Sequence, residues 1–202
     1  MKLYLSPGAC SLSPHIVLRE AGIPFELERV DLKTKRTESG ADYYAVNPKG
    51  QVPLLKLDDG DSLTEGPAIV QYIADHSPGA KLAPAAGTKQ RYHLLEWLNY
   101  VTSELHKSFG SLFAPNTPDE YKKIVEEGLE KKFEYLDRQL SGRPYLLGDG
   151  FSVADAYLFT VLNWTRVLSI DLSRHANLVA YQKRVADRPK VREALKAEGL
   201  LK

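Results

Sequence analysis

Cysteine occurs once in the 202 residues, at Cys10, inside "SPGACSLSPH". It stands just before "SLSPHIVLREAG", whose apolar spacing and closing Gly22 predict a helix. A helix N-terminus presents unpaired N–H groups and about half a positive charge, so an anion is favoured there. A thiolate so placed has its pKa lowered from a free value of about 8.5 and becomes a nucleophile near neutral pH. The residue type also permits a second role, because free cysteines are among the most buried side chains and pack as small hydrophobes. With no second cysteine, the chain holds no Cys-x-x-Cys cycle, no internal disulfide framework and no cysteine-rich zinc site. A mixed disulfide with a small external thiol, or a hydrogen bond to one, remains open to it.

A second constellation lies on "KQRYHLLEWLNYVTSELHKSFGSLF", a long helix with Leu95, Leu98, Leu105, Phe109 and Leu112 on one broad face. At about 100° per residue, Asn99, Ser103 and His106 fall within roughly 60° of one another, on a polar stripe bordering that face. Such a border either lines a cleft or is ordinary polar surface. Imidazole changes charge near neutral pH, so His106 is the acid–base candidate. His15, His76, His93 and His175 show no metal-ligand spacing, and no metal site is expected. Glu65 precedes "GPAIVQYIADH", a helix with Pro67 in its first turn, where a carboxylate caps the helix or meets a cation. Lys35 sits in a polar loop beside Lys33 and Arg36.

Two kinds of segment must position these groups. "KLYL" and "FELERV" read as strands around the first helix. "TKRTESGADYYAVNPKG" reads as a loop with a short helix, and "PLLKLDDGDSLT" as a hairpin turning at Asp59-Gly60. The order βαβαββα therefore fills residues 1–80, an α/β domain. "SPGAKLAPAAG" is the linker, and residues 87–202 form an all-α domain with no strand after Thr64. Thr117 and Glu120 around Pro118 predict a capping box. Ser152 and Asp155 in "FSVAD" predict another, with Phe151 as a hydrophobic staple, worth about 1 kcal/mol to folding and outside the active site.

With 27 basic and 26 acidic residues, no net field invites nucleic acid or an anionic membrane. "MKLYLSPGAC" lacks the apolar core of a signal peptide, and no apolar run reaches the length of a membrane span. A lone thiol suits a reducing compartment, so a soluble cytoplasmic protein is expected.

Five motifs in order, "PGACSLSPH", "NPKGQVPLL", "LTEGPAIVQYIAD", "EWLNYVTSELHK" and "FSVADAYLF", span essentially the whole chain. Together they resemble the cytosolic glutathione transferases, and among these the bacterial beta class. The resemblance implies a thioredoxin-like N-terminal domain, a helical C-terminal domain, a homodimer, and glutathione as co-substrate with no metal. It places a cis bond at Val52-Pro53, with Val52 pairing to the cysteinyl part of glutathione. Glu65 and the backbone of Gly66 then meet the γ-glutamyl group. Many members carry serine at the Gly66 position, so here only the backbone amide can serve. Lys35 meets the glycyl carboxylate, Asn99 approaches the cysteinyl-glycyl end, and His106 approaches the sulfur together with Cys10, which makes Ser103, on the same stripe, a further glutathione-binding candidate. Glu104 crosses to the other subunit's γ-glutamyl ammonium. Tyr4 and Ser11 are runner-up thiolate donors, by analogy with other classes, with structural roles in the strand and helix cap favoured. Trp164 either walls the electrophile pocket or is simply buried.

The implied reaction is attack of the glutathione thiolate on a hydrophobic electrophile. Competing with it are thiol–disulfide exchange or reductive dehalogenation through Cys10, and a non-catalytic binding role on the same fold.

Overall fold

The computed structural model describes residues 1–201, which separate into two compact units. The first comprises Met1–Ala83 and the segment from Arg188 onward. Its chain runs β1 (Lys2–Leu5), α1 (Leu12–Ala21), β2 (Glu26–Asp31), β3 (Arg36–Thr37), α2 (Tyr43–Val46), β4 (Leu54–Lys56), β5 (Ser62–Thr64) and α3 (Gly66–Asp75). The five strands form one sheet in the order β3-β2-β1-β4-β5. Only β1 and β2 are parallel, Leu3 facing Leu27, and α1 supplies the crossover a parallel pair requires. β4 runs antiparallel to both β1 and β5. Leu3 and Leu5 from β1, Ile16, Val17 and Leu18 from α1, and Ile69, Val70 and Ile73 from α3 are all fully buried. Gly22 closes α1 at φ 68°, a left-handed conformation that glycine adopts without a Cβ clash.

The sequence pattern anticipates every element here except β3. That strand is two residues long and pairs with β2 through Val30 with Thr37 and Asp31 with Arg36, too short for any alternation to show.

The second unit, Pro84–Asp187, is helical: α4 (Lys89–Tyr100), α5 (Lys107–Phe113), α6 (Asp119–Leu140), α7 (Val153–Leu162), α8 (Trp164–Val167) and α9 (Ala176–Ala186). Among the described residues no strand follows Thr64. Every residue of α7 is buried, as its apolar circumference demands. The Ser152 capping box forms. The Asp155 carboxylate takes the Ser152 N–H at 2.8 Å, the Ser152 hydroxyl at 2.7 Å and the Leu146 N–H at 2.9 Å. Burial nevertheless pushes that carboxyl up, against the hydrogen bonds that pull it down.

Three expectations need correction. The long helix is not continuous: Val101–His106 between α4 and α5 is a π-helical stretch, in which the Lys107 N–H reaches the Thr102 carbonyl. The capping box at Thr117 does not form, because α6 starts after Pro118 and the Thr117 N–H turns back to Ala114. Finally, the domain expected over residues 87–202 loses its end. α10 (Pro189–Ala197) packs on α1 in the first unit, where Arg188 forks onto Glu20 at 2.7 and 2.8 Å.

Candidate active site

Cys10 lies in a tight loop between β1 and α1 that is fastened from three directions. Ser11 closes it from within: its hydroxyl accepts the Ser6 N–H at 3.1 Å and donates to the Ser6 carbonyl at 3.2 Å. From the far end of the chain, Glu198 accepts the Gly8 N–H at 2.9 Å, and Leu200 packs against Gly8. From the sheet side, the half-buried Cys10 thiol donates to the Val52 carbonyl at 3.2 Å. The N–H groups at the head of α1 are not left open as expected. Leu12 and Ser13 donate to the carbonyls of Ala9 and Cys10, and Pro14 has no N–H, so these three positions offer an anion the helix dipole and no N–H.

The facing strand segment is held equally firmly. Val52-Pro53 is cis, as the family resemblance implies. Three successive carbonyls before that proline each meet a side chain. Gly50 accepts from Lys35 Nζ at 2.8 Å, Gln51 from the Tyr43 hydroxyl at 2.9 Å and Asn47 Nδ2 at 2.7 Å, and Val52 from Cys10. Burial pushes the Tyr43 phenol up to about 12, so it remains a donor at any physiological pH. Tyr4 packs its ring on Tyr43 at 5.8 Å and joins the cluster of Val30, Tyr43 and Val52.

Glu65, next along the sheet edge, has φ 67°, a left-handed backbone that a residue with a Cβ adopts at a cost of about 1–3 kcal/mol. Its exposed carboxylate does not cap α3 but pairs with Lys49 Nζ at 2.7 Å, and the same ammonium reaches the Thr64 hydroxyl at 2.8 Å. Gly66 and Pro67 open α3 immediately behind it.

In the second unit the predicted polar stripe is divided. Asn99 and Ser103 are exposed and bond back to carbonyls one turn earlier, at 2.8 and 3.0 Å. His106 is half-buried, its Nδ1 2.6 Å from the Tyr157 hydroxyl and its ring edge-on to Trp164 at 4.8 Å. Trp164 is buried, packed edge-on to Phe109 and Phe113, each at 5.7 Å. Glu104 pairs with Lys132 at 3.3 Å on the surface.

The family "Glutathione S-transferase, N-terminal domain" matches residues 8–76, and "Glutathione S-transferase, C-terminal domain" matches residues 97–189. Glutathione S-transferase GstA of Escherichia coli O157:H7 is 52% identical over 200 residues, 99% of this chain and all of that protein. A sphingomonad glutathione S-transferase complexed with glutathione superposes with TM-score 0.96 at 51% identity, covering 99% of this chain and all of that one. A beta-class glutathione S-transferase of Sphingomonas chungbukensis does so with TM-score 0.96 at 50% identity, over all of both chains.

The chain belongs to the glutathione S-transferase family.

It is a glutathione transferase enzyme, and one of its solved neighbours is described as of the bacterial beta class. In this transferase the first unit brings Cys10, Val52, Pro53 and Lys35 to one loop cluster, with Glu65 and Gly66 at the adjoining helix start. Ser11 is tied to the Ser6 backbone on both sides of its hydroxyl, and Tyr4 is a packing residue of the same cluster. Residue reasoning missed Tyr43, Asn47 and Lys49, which hold the Val52 segment and Glu65. Their signal was present in "DYYAVNPKG", a short capped helix ending in an Asn-Pro turn beside two acceptor-rich stretches. It also missed Glu198 and Tyr157, for which sequence offers no signal, since each meets its partner over a separation of 190 or 51 residues. Among the described residues no three His, Cys, Asp or Glu side chains cluster as a metal ion would need, and no helix is long and apolar enough to cross a membrane.

Proposed function

We propose that the enzyme binds glutathione extended along Val52 and uses its thiolate to attack a small hydrophobic electrophile. The Val52 backbone would pair with the cysteinyl residue as an edge strand pairs with an added one. Glu65 would take the γ-glutamyl ammonium in place of Lys49, the Gly66 N–H its carboxylate, and Lys35 the glycyl carboxylate. The observation that carries this reading is the 3.2 Å contact of the only thiol with the Val52 carbonyl. A cysteinyl residue added alongside Val52 brings its sulfur to Cys10, which can hydrogen-bond it. Following the resemblance, Asn99 and Ser103 serve the peptide, His106 the sulfur and Trp164 the electrophile. The enzyme works as a cytoplasmic homodimer in detoxification or aromatic catabolism, with Glu104 addressing the other subunit's glutathione. Rate enhancement comes from thiolate stabilisation and positioning.

Calorimetric titration with glutathione tests the assignment. Glu65→Gln and Lys35→Met each remove a charge-assisted hydrogen bond and should weaken binding about ten- to a hundredfold. Unchanged affinity in both variants overturns the proposed pose. Cys10→Ala should keep conjugation of 1-chloro-2,4-dinitrobenzene within about tenfold, since a positioned glutathione supplies the nucleophile. Loss of conjugation together with disulfide exchange would instead make Cys10 the reacting thiol.

A further inference from the structure

The π-helical stretch Val101–His106 gives His106 an environment that the residues beside it do not share. Three hydroxyls back-bond carbonyls in and next to it: Thr102 to Leu98 at 2.7 Å, Ser103 to Asn99 at 3.0 Å and Ser108 to Glu104 at 2.7 Å. Such hydroxyls compete with the helix's own N–H groups for carbonyls, and π-bulges recur at functional sites. The wider turn takes His106 off the exposed stripe of Asn99 and Ser103 and sets its ring between Trp164 and Tyr157. Tyr157 is 2% exposed, on the wholly buried α7, so its hydroxyl is a fixed partner.

We propose that Tyr157 is a positioning residue that donates its phenolic hydrogen to His106 Nδ1, fixing the imidazole as the neutral tautomer protonated on Nε2. The inference deepens the role proposed above for His106 and rests on it. Of the two ways to share a hydrogen across the 2.6 Å contact, phenol O–H to imidazole nitrogen joins the stronger acid to the stronger base. The reverse would ask a neutral imidazole N–H, a far weaker acid than a phenol, to donate. With Nδ1 accepting, the ring hydrogen sits on Nε2, and His106 can offer a hydrogen bond to an anion. His106 then stabilises a glutathione thiolate as a donor and does not remove the thiol proton as a base. Trp164, edge-on at 4.8 Å, keeps the ring from rotating away.

Nitrogen-15 NMR of the histidine ring nitrogens in the wild-type enzyme reads the tautomer directly, independent of activity. The expected signature is an unprotonated Nδ1 and a protonated Nε2 on His106. Tyr157→Phe keeps the ring packing, and should give a mixture of tautomers and lower kcat about fivefold, the order of one neutral hydrogen bond. KM for glutathione should stay within about twofold, because Tyr157 is proposed to act through the imidazole and not on the peptide. A protonated Nδ1 in the wild type, or an unchanged tautomer in Tyr157→Phe, overturns the proposal. A His106→Ala enzyme with wild-type kcat overturns the catalytic role of His106, and with it the consequence for the thiolate, while the tautomer measurement still judges the Tyr157 hydrogen bond.

Discussion

Replacing Glu198 with alanine is the sharpest test of how the thiol loop is held. The Glu198 carboxylate is completely buried, one oxygen 2.7 Å from His15 Nδ1 and the other accepting the Gly8 N–H at 2.9 Å. Arg19 Nε donates to His15 Nε2 at 2.8 Å, so that nitrogen has no hydrogen and Nδ1 must donate to Glu198. Glu198→Ala therefore strands the fully buried His15 N–H and removes the acceptor that the part-buried Gly8 N–H meets. A stranded group costs about 1–3 kcal/mol, and breaking a buried polar pair typically costs about 3–5 kcal/mol in all. Taking about 4 kcal/mol, and about 2–4 °C per kcal/mol for a chain of this size, the transition should fall by about 8–16 °C in calorimetry. Because Glu198 also holds Gly8, two residues before Cys10, iodoacetamide should alkylate Cys10 faster in the variant. Glu20→Gln is the control: it weakens the docking of the same C-terminal segment, through Arg188, without touching the loop. It should lower stability modestly and leave Cys10 alkylation unchanged. A Glu198→Ala enzyme within about 1 kcal/mol of wild type refutes the reasoning, as does faster alkylation in both variants.

Two further outcomes follow from the loop cluster and the buried phenols. Gly50 has φ 61°, and a Cβ there would come within 2.6 Å of the Tyr44 ring. Gly50→Ala should therefore cost about 1–2 kcal/mol of backbone strain and loosen the carbonyl that Lys35 grips, seen as a lower transition temperature and weaker glutathione titration. Wild-type values for both would contradict the cradle described above. Burial pushes the phenols of Tyr43 and Tyr100 up to about 12 and that of Tyr181 well above the ordinary tyrosine value. Their protons are held more tightly folded than unfolded, so the stability that Tyr43 and Tyr100 contribute is complete below pH about 10 and is lost as pH rises through about 12. Tyrosinate absorbance followed to alkaline pH should show a late step, and Tyr43→Phe should shrink it. An unaltered titration curve in that variant would count against the burial argument.

The elements of this transferase were legible because each has a local cause. Alternating side chains mark the strands, Asp59-Gly60 turns the hairpin, Pro67 opens α3, and Gly22 ends α1 in the left-handed conformation observed. The capping box of Ser152 and Asp155 was readable for the same reason, being three residues of backbone geometry. Thr117 misled because Pro118 put the helix start one residue later than the pattern assumed. Cys10 could be named from its type and place, and Val52, Lys35, Glu65 and Gly66 from the family resemblance, but periodicity gives a side chain's face and not its partner. Cys10 meets Val52 across 42 residues, Gly8 meets Glu198 across 190, and His106 meets Tyr157 across 51. Those pairings arise when packed elements exclude water and every buried donor must find an acceptor, a condition on the whole fold that no local window contains. The division of Asn99 and Ser103 from His106 is of the same kind. A turn of helix at its usual width puts all three on one face, and the π-helical turn observed here accompanies the contact of the imidazole with the phenol of Tyr157.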